Sequence, residues 1–256
     1  MTAPLFDPAP LPLRRARAEA MGGDYFLHER AFEECLERLA AIRRRFPTAM
    51  IFGPARPGWI DRLREAGCDT VTVVEPGSAA PLPNTPDLCL SIGALDTADA
   101  LPATLTALRH LLGVNALFLG AFAGANSLPE LRTAMQVADR AVGAPAAPHT
   151  HPRIDPASFS ALLTGAGFVD PVVDVDRVRL RYASLDALVR DLRAMAATNR
   201  LLDRPRRPIL RAGLGAARNS FLAAAIDGRT TETIEIVQFV AWTPSVDSTQ
   251  SRLTNN

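Results

Sequence analysis

Two histidines, His149 and His151, stand two residues apart in a proline-rich loop, GAPAAPHTHPR (143–153). In extended backbone both side chains face one way, as metal ligands would, and Asp155 could add a third donor. No other His or Cys cluster accompanies them, so the expectation is no metal. His149 reads instead as a residue that orders the loop or binds substrate. Lysine is missing: all 28 Lys-plus-Arg positions are Arg. That excludes a Schiff-base lysine, a pyridoxal phosphate site, a P-loop and a kinase lysine. Arginine stays protonated at useful pH, so histidine is the one basic side chain that can act as a base. No Ser-His-Asp, paired-carboxylate or P-loop spacing occurs. The cysteines, Cys35, Cys68 and Cys89, are odd in number and form no C-x-x-C, which points to a reducing compartment.

The chain has 256 residues, 48% of them apolar, enough for a sizeable core. The net charge is +1, which offers no global attraction to nucleic acid or acidic membranes. The longest apolar run, 116–125, is too short to span a bilayer. At the N-terminus the apolar residues precede the arginines, the reverse of a signal peptide, and the expected location is cytoplasmic. The Arg14–Arg17 run reads as a solvated face with at most peripheral membrane contact. The groups 43–45 and 204–207 could meet an acidic partner; nucleic acid is not expected. Residues 1–23 are expected to be mobile, and 24–256 to form one domain.

Apolar spacing predicts a helix over 24–45, stopped by Pro47. Short apolar strands follow at 48–52, 69–74, 87–92 and 116–121. Helices at 57–66, 98–112 and 128–142 alternate with them. Apolar, non-alternating strands between helices imply a parallel sheet covered on both faces, with ligands at the carboxyl ends of its strands. A helix at 156–166, a long strand at 171–182, helices at 184–199 and 208–226 and a last strand at 231–242 complete the chain. The hydrophobic phase of the long strand slips near Asp176–Arg177, as a bulge would make it.

Several blocks resemble a known family: LGAFAGANSLPELR (119–132), PHTHPRIDPASFSALLTGAGF (148–168), LVRDLRAMAATNRLLDR (188–204) and ETIEIVQFVAW (232–242). They are similar to the methyltransferase-like complex I assembly factors and to the biotin-synthesis methyltransferases. The resemblance implies the α/β fold of class I S-adenosylmethionine-dependent methyltransferases, doubly wound and mostly parallel. It also implies a helical insertion before the last strand, with 24–142 as cofactor half and 143–256 as substrate half. Only eleven residues separate Glu75 from Asp87, where the family places a helix, a strand and an adenine-contacting acid. One edge strand and its helix are therefore expected to be lost.

The resemblance assigns Gly53 and Gly58 to the cofactor turn, Glu75 to the ribose hydroxyls, and Ser91 and Gly93 to the methyl-donor cleft. The turn is eroded: Ile51 stands for the family Asp, Ala55 for the second Gly, and Pro54 and Pro57 remove two N–H donors. Asn126, Glu130, Arg132, His149 and Asn199 match positions on the substrate side, although Glu130 and Arg132 could equally serve helix capping and surface pairing. Two functions follow as expectations. One is an S-adenosylmethionine-dependent methyltransferase-like protein related to complex I assembly factors, with a protein substrate or respiratory-complex subunit as partner. The other is a non-catalytic binding or assembly protein that has shed the cofactor half.

Overall fold

A computed structural model of the chain describes residues 3–78 and 81–245. Its strands are β1 (Thr48–Phe52), β2 (Thr70–Val74), β3 (Leu88–Ile92), β4 (Leu117–Ala123), β5 (Val169–Tyr182), β6 (Ala225–Ile226) and β7 (Arg229–Trp242). Its helices are α1 (Leu11–Ala20), α2 (Phe26–Ala41), α3 (Trp59–Glu65), α4 (Leu101–Leu111), α5 (Pro129–Ala141), α6 (Pro156–Gly165), α7 (Leu185–Ala194) and α8 (Arg211–Ala223). The seven-stranded sheet runs β2-β1-β3-β4-β7-β5, with β6 paired to β7. β1 pairs in parallel with β2 and β3, and β3 with β4; β7 runs antiparallel to β4 and β6.

The expected α/β sheet is present, and so is the expected gap. Among the described residues no helix or strand forms between Val74 and Leu88, and β2 is left at the sheet edge. The apolar run of β2 is accordingly only half-buried, whereas every residue of β3 is buried. The count of seven is restored by β6, a two-residue hairpin arm that the sequence reading assigned to a helix. Helix α8 ends at Ala223, and the turn at Asp227 and Gly228, both at positive φ, joins β6 to β7 in that hairpin.

Contacts divide the chain into two compact units that interleave in sequence. Unit 1 comprises Met1–Phe26, Ala125–Arg153 and Arg177–Glu235, and unit 2 comprises Leu27–Gly124, Ile154–Asp176 and Ile236–Asn256. Unit 2 is built on a phenylalanine cluster. The Phe159 ring lies 4.7 Å from Phe122 and 5.0 Å from Phe239, both edge-on. Leu105 and Leu108 of α4 and Leu163 of α6 join that core. Elsewhere in unit 2, Phe32 of α2 stacks on Trp59 of α3 at 4.6 Å, and the indole N–H donates to both Glu29 oxygens at 3.0 Å.

Unit 1 corrects the reading of the N-terminus. Residues 11–20 form α1, packed on α7, and Phe6 is buried edge-on against His151. The backbone bonds Asp7 N to Arg200 O (2.7 Å) and Leu202 N to Leu5 O (2.9 Å) fasten the segment as a short antiparallel bridge. Asp7 also accepts from Arg204 at 2.8 Å. Proline content and an absence of periodicity in residues 3–10 hid this, because the partners lie about 200 positions away. Met1 and Thr2 lie outside the described residues. In α8, Gly213 does not interrupt the helix but lets it approach α5: a Cβ there would sit 3.0 Å from Ala138 O.

Removing the central ring of unit 2 tests this core. Phe159→Ala is expected to cost about 3–5 kcal/mol of stability, read from urea denaturation followed by circular dichroism. A loss below about 1 kcal/mol would contradict the packing described.

Candidate functional site

In unit 2 the candidate residues collect at the carboxyl ends of β1, β2 and β3. Gly53 follows β1 at φ +107°, and its amide donates to Val74 O at 2.9 Å. Only glycine fits here, since a Cβ would meet the Ala94 side chain at 2.6 Å. Gly93 follows β3 at φ +65°, and a Cβ would meet the His28 ring at 3.0 Å. Gly58 is the left-handed N-cap of α3, with open space around its α-carbon. Glu75 is exposed just beyond β2. Ser91, opposite Gly120 of β4, is fully buried, and its hydroxyl has no hydrogen-bond partner among the described residues. Burial next to the Arg56 charge pushes the His28 imidazole down to about 4, so it is neutral at pH 7.

In unit 1 the candidates sit on the loop before α5, on α5 itself and on the loops at 143–153 and 195–204. Leu128 caps α5 at φ +61°, a left-handed conformation that L side chains rarely adopt. With no capping side chain of its own, the helix start is satisfied from β7. Glu232 accepts from the amides of Leu131 (2.9 Å), Thr233 (3.0 Å) and Glu130 (3.4 Å). Burial raises the Glu232 carboxyl against those donors. Three residues along, buried Glu235 accepts from both the amide (3.0 Å) and the side chain (3.1 Å) of Asn126, and from Arg177 (3.2 Å). Burial works to raise its carboxyl too, but those bonds outweigh it and hold it low. Neither acid was singled out in the sequence. Their signal is two carboxylates three residues apart where β7 turns apolar, at Ile234, Ile236 and Val237, and where no buried charge should remain unpaired.

Asn126, Glu130 and Arg132 thus gather around one loop, but Glu130 and Arg132 make no ion pair. Arg132 Nη2 donates to Ser127 O at 3.2 Å, and no carboxylate lies within ion-pairing distance of it among the described residues. His149 Nε2 lies 2.9 Å from Asp139 Oδ1, which ties the 143–153 loop to α5. Asn199 does not end a helix as expected: α7 stops at Ala194, and Asn199 lies in the following loop. Its side-chain N–H donates to Pro148 O at 2.6 Å, and its oxygen accepts from the Leu201 amide at 3.0 Å. His151 faces away from metal chemistry. It accepts from the Arg200 amide at 2.8 Å, while Asp155 caps α6 through Ser158 N. No group of three or more metal-ligating side chains occurs among the described residues. Beside these loops unit 1 holds a cavity of about 490 Å³, lined in part by Arg132, Thr150, His151 and Arg153.

Charge is unevenly divided. Unit 1 holds 18 arginines against 11 acids, net +7, and unit 2 holds 10 against 16, net −6, which together give the chain's +1.

No protein-family model matches this chain. Among curated proteins it is 31% identical over 170 residues to the Danio rerio protein named arginine-hydroxylase NDUFAF5, mitochondrial, matching 63% of this chain and 50% of the relative. It is 32% identical over 159 residues to a malonyl-[acyl-carrier protein] O-methyltransferase of Laribacter hongkongensis, 62% of this chain and 52% of that one. The Xylella fastidiosa protein of the same name is 30% identical over 225 residues, 84% and 65%. The chain spans about half the length of the first two. Among solved structures, a Bacillus halodurans protein described as a methyltransferase superposes with a TM-score of 0.52 at 11% identity, over 83% of this chain and 98% of that one. The chain has a methyltransferase fold. Among the described residues no helix is long and apolar enough to cross a membrane.

The buried histidines make stability pH-dependent. His28 and His151 are held down to about 4 and about 3, below the ordinary 6.5. For His151 burial is the main cause, with the charges of Arg153, Arg200 and Arg14 adding to it. The unfolded chain takes up these protons near 6.5 and the folded chain does not, so stability falls as pH drops below 6.5. The expected slope is about 1.4 kcal/mol per pH unit for each histidine. His151→Gln should make this acid limb shallower in urea titrations at pH 4.5–7; an unchanged slope would show that His151 is not held neutral.

Proposed function

We propose that this chain is an S-adenosylmethionine-dependent methyltransferase-like protein, related in role to the complex I assembly factors, with an eroded cofactor turn. Unit 1 is its substrate side, through Asn126, Glu130, Arg132, His149 and Asn199. The observation that carries the reading is the placement of an exposed carboxylate, Glu75, just beyond β2 and of Ser91 near the end of β3, the two strands that flank β1; the buried Ser91 hydroxyl has no hydrogen-bond partner among the described residues. Glu75 suits the ribose hydroxyls of a nucleoside cofactor. The glycine turn suits the rest of that cofactor poorly. A Cβ at Gly53 would meet Ala94 and one at Gly93 would meet His28, while Gly58 faces open space, so two of the three glycines pack against the protein's own side chains. The residues fit the ribose end of S-adenosylmethionine and not its methionine end.

That misfit favours a second reading, a non-catalytic pseudo-methyltransferase that binds or assembles. Under either reading the partner is a protein substrate or a respiratory-complex subunit, with no nucleic acid and at most peripheral membrane contact. A cytoplasmic site of action is supported by three buried, unbridged thiols, of which burial pushes Cys35 up to about 12 and Cys68 to about 11.

Calorimetric titration with S-adenosylmethionine and S-adenosylhomocysteine separates the two. The first reading expects weak binding, with Kd about 0.1–1 mM, and at least a tenfold loss in Glu75→Ala. No heat at about 10 mM ligand leaves the second reading in place.

A further inference from the structure

The two edge strands of the sheet are built differently. On β5, the stretch within unit 2 carries Asp170, Pro171 and Asp174, and its alternating exposure breaks at Val175–Asp176. Charges, proline and a broken phase are what keep an edge strand from pairing with another chain. The other edge, β2, has none of them: Thr70, Val71, Thr72, Val73 and Val74 are all β-branched and uncharged. β2 lies last in the strand order, and among the described residues no backbone bond crosses its outer side. The bonds on its inner side fix which groups face outward. Thr70 N donates to Pro47 O at 2.9 Å, and Val74 O accepts from Gly53 N at 2.9 Å. Successive residues of a strand direct their N–H and C=O groups to opposite sides. Val71 and Val73 therefore turn both groups to the open edge, and the Asp69 carbonyl, on the same peptide unit as the Thr70 amide, joins them. Val73 is also 38% exposed, whereas every residue of β3 is buried.

We propose that β2 pairs antiparallel with β2 of a second copy of this chain, about a two-fold axis at Val71. Val71 then exchanges both backbone bonds with Val71 of the other copy, and each Val73 amide donates to the Asp69 carbonyl across the axis. Charge selects this register. An axis at Thr72 would set Asp69 opposite Glu75, and like charges across a ladder repel. With the axis at Val71, Thr70 lies opposite Thr72, a favourable hydroxyl pair. Glu75 then reaches the end of the other copy where Arg45 lies, its Nε on Gly67 O at 3.3 Å and its Nη2 on Asp69 Oδ1 at 2.7 Å. A second copy is the fitting occupant because one short segment supplies both halves of the ladder and both halves of the charge contact. The contact is small and made mainly by backbone, so a dimer Kd of about 1–20 μM is expected. The pairing requires no bound cofactor.

The test is sedimentation velocity of the whole protein from about 1 to 200 μM, with residue-resolved hydrogen exchange at both concentrations. The mass is expected to rise with concentration toward twice the 27.5 kDa of one chain. The Val71 and Val73 amides should exchange at least about threefold more slowly at the higher concentration, while Thr72, which faces β1, keeps its rate. Val73→Lys puts a charge on the edge and should weaken dimerisation at least about tenfold. Val172→Lys, on the opposite edge strand, should leave it unchanged. Mild oxidation should cross-link Val71→Cys, whose α-carbons would face each other at about 5.5 Å. It should not cross-link Val73→Cys, offset across the axis by four residues, about 13 Å. The native thiols are buried and do not compete. Should Val73→Lys fail to fold, amide exchange in the unaltered protein and the Val71→Cys cross-link still decide the matter. A chain that stays monomeric at about 200 μM, a dimer indifferent to Val73→Lys, a dimer lost in Val172→Lys, or equal cross-linking of the two cysteine variants would each overturn the assignment.

Discussion

Two buried carboxylates on β7 hold the loop that leads into α5 in unit 1. Glu232 closes the start of α5, and Glu235 gathers Asn126, Ser127 and Arg177 around the residues that precede it. Burying a carboxylate is costly unless donors surround it, and each of these acids has several. With the helix start satisfied from outside, Leu128 can carry a left-handed cap that it would not otherwise adopt. The direction of Arg132, four residues on, follows from that turn. The loop before α5 thus depends on a long-range bond pattern, and its own residues supply only one half of it.

Unit 2 shows what an uncovered sheet edge does to the strand that forms it. Among the described residues no strand or helix forms between Val74 and Leu88, so β2 is an edge, with Val71 and Val74 half-covered and Val73 exposed. Its carboxyl end still carries Glu75. Gly53 and Gly93 keep the positive φ values that a ligand-approaching turn requires, yet each packs against a side chain of the same unit. Glycine conformation alone is consequently a poor witness to a bound nucleotide: the same backbone is needed for close packing within the protein.

The charge distribution bears on partners. A chain of net +1 has no far field to speak of, but a net +7 on one unit and −6 on the other, with a Debye length near 8 Å in physiological salt, act locally. Whole-chain balance excluded a polyanion binder; it did not exclude a basic face.

Sequence by itself determined the alternation of strands and helices, the shortened segment after Glu75 and the Ser184 cap of α7, whose hydroxyl accepts from Ala187 N. These follow from local periodicity, chain length and capping chemistry, which act within a few residues. The phase slip expected at Asp176–Arg177 is also visible, as a break in the alternating exposure of β5 at Val175–Asp176. Tertiary structure alone decided the rest. The N-terminal bridge to Leu201, the β6 hairpin, the pairing of His149 with Asp139 and the closing of α5 by Glu232 join residues distant in sequence or governed by turn geometry. Arg132 could be picked out from its position, but its lack of a partner is a property of three-dimensional neighbours. A side chain's charge is written in the sequence; whether that charge is compensated is settled only when the chain folds and chooses what surrounds it.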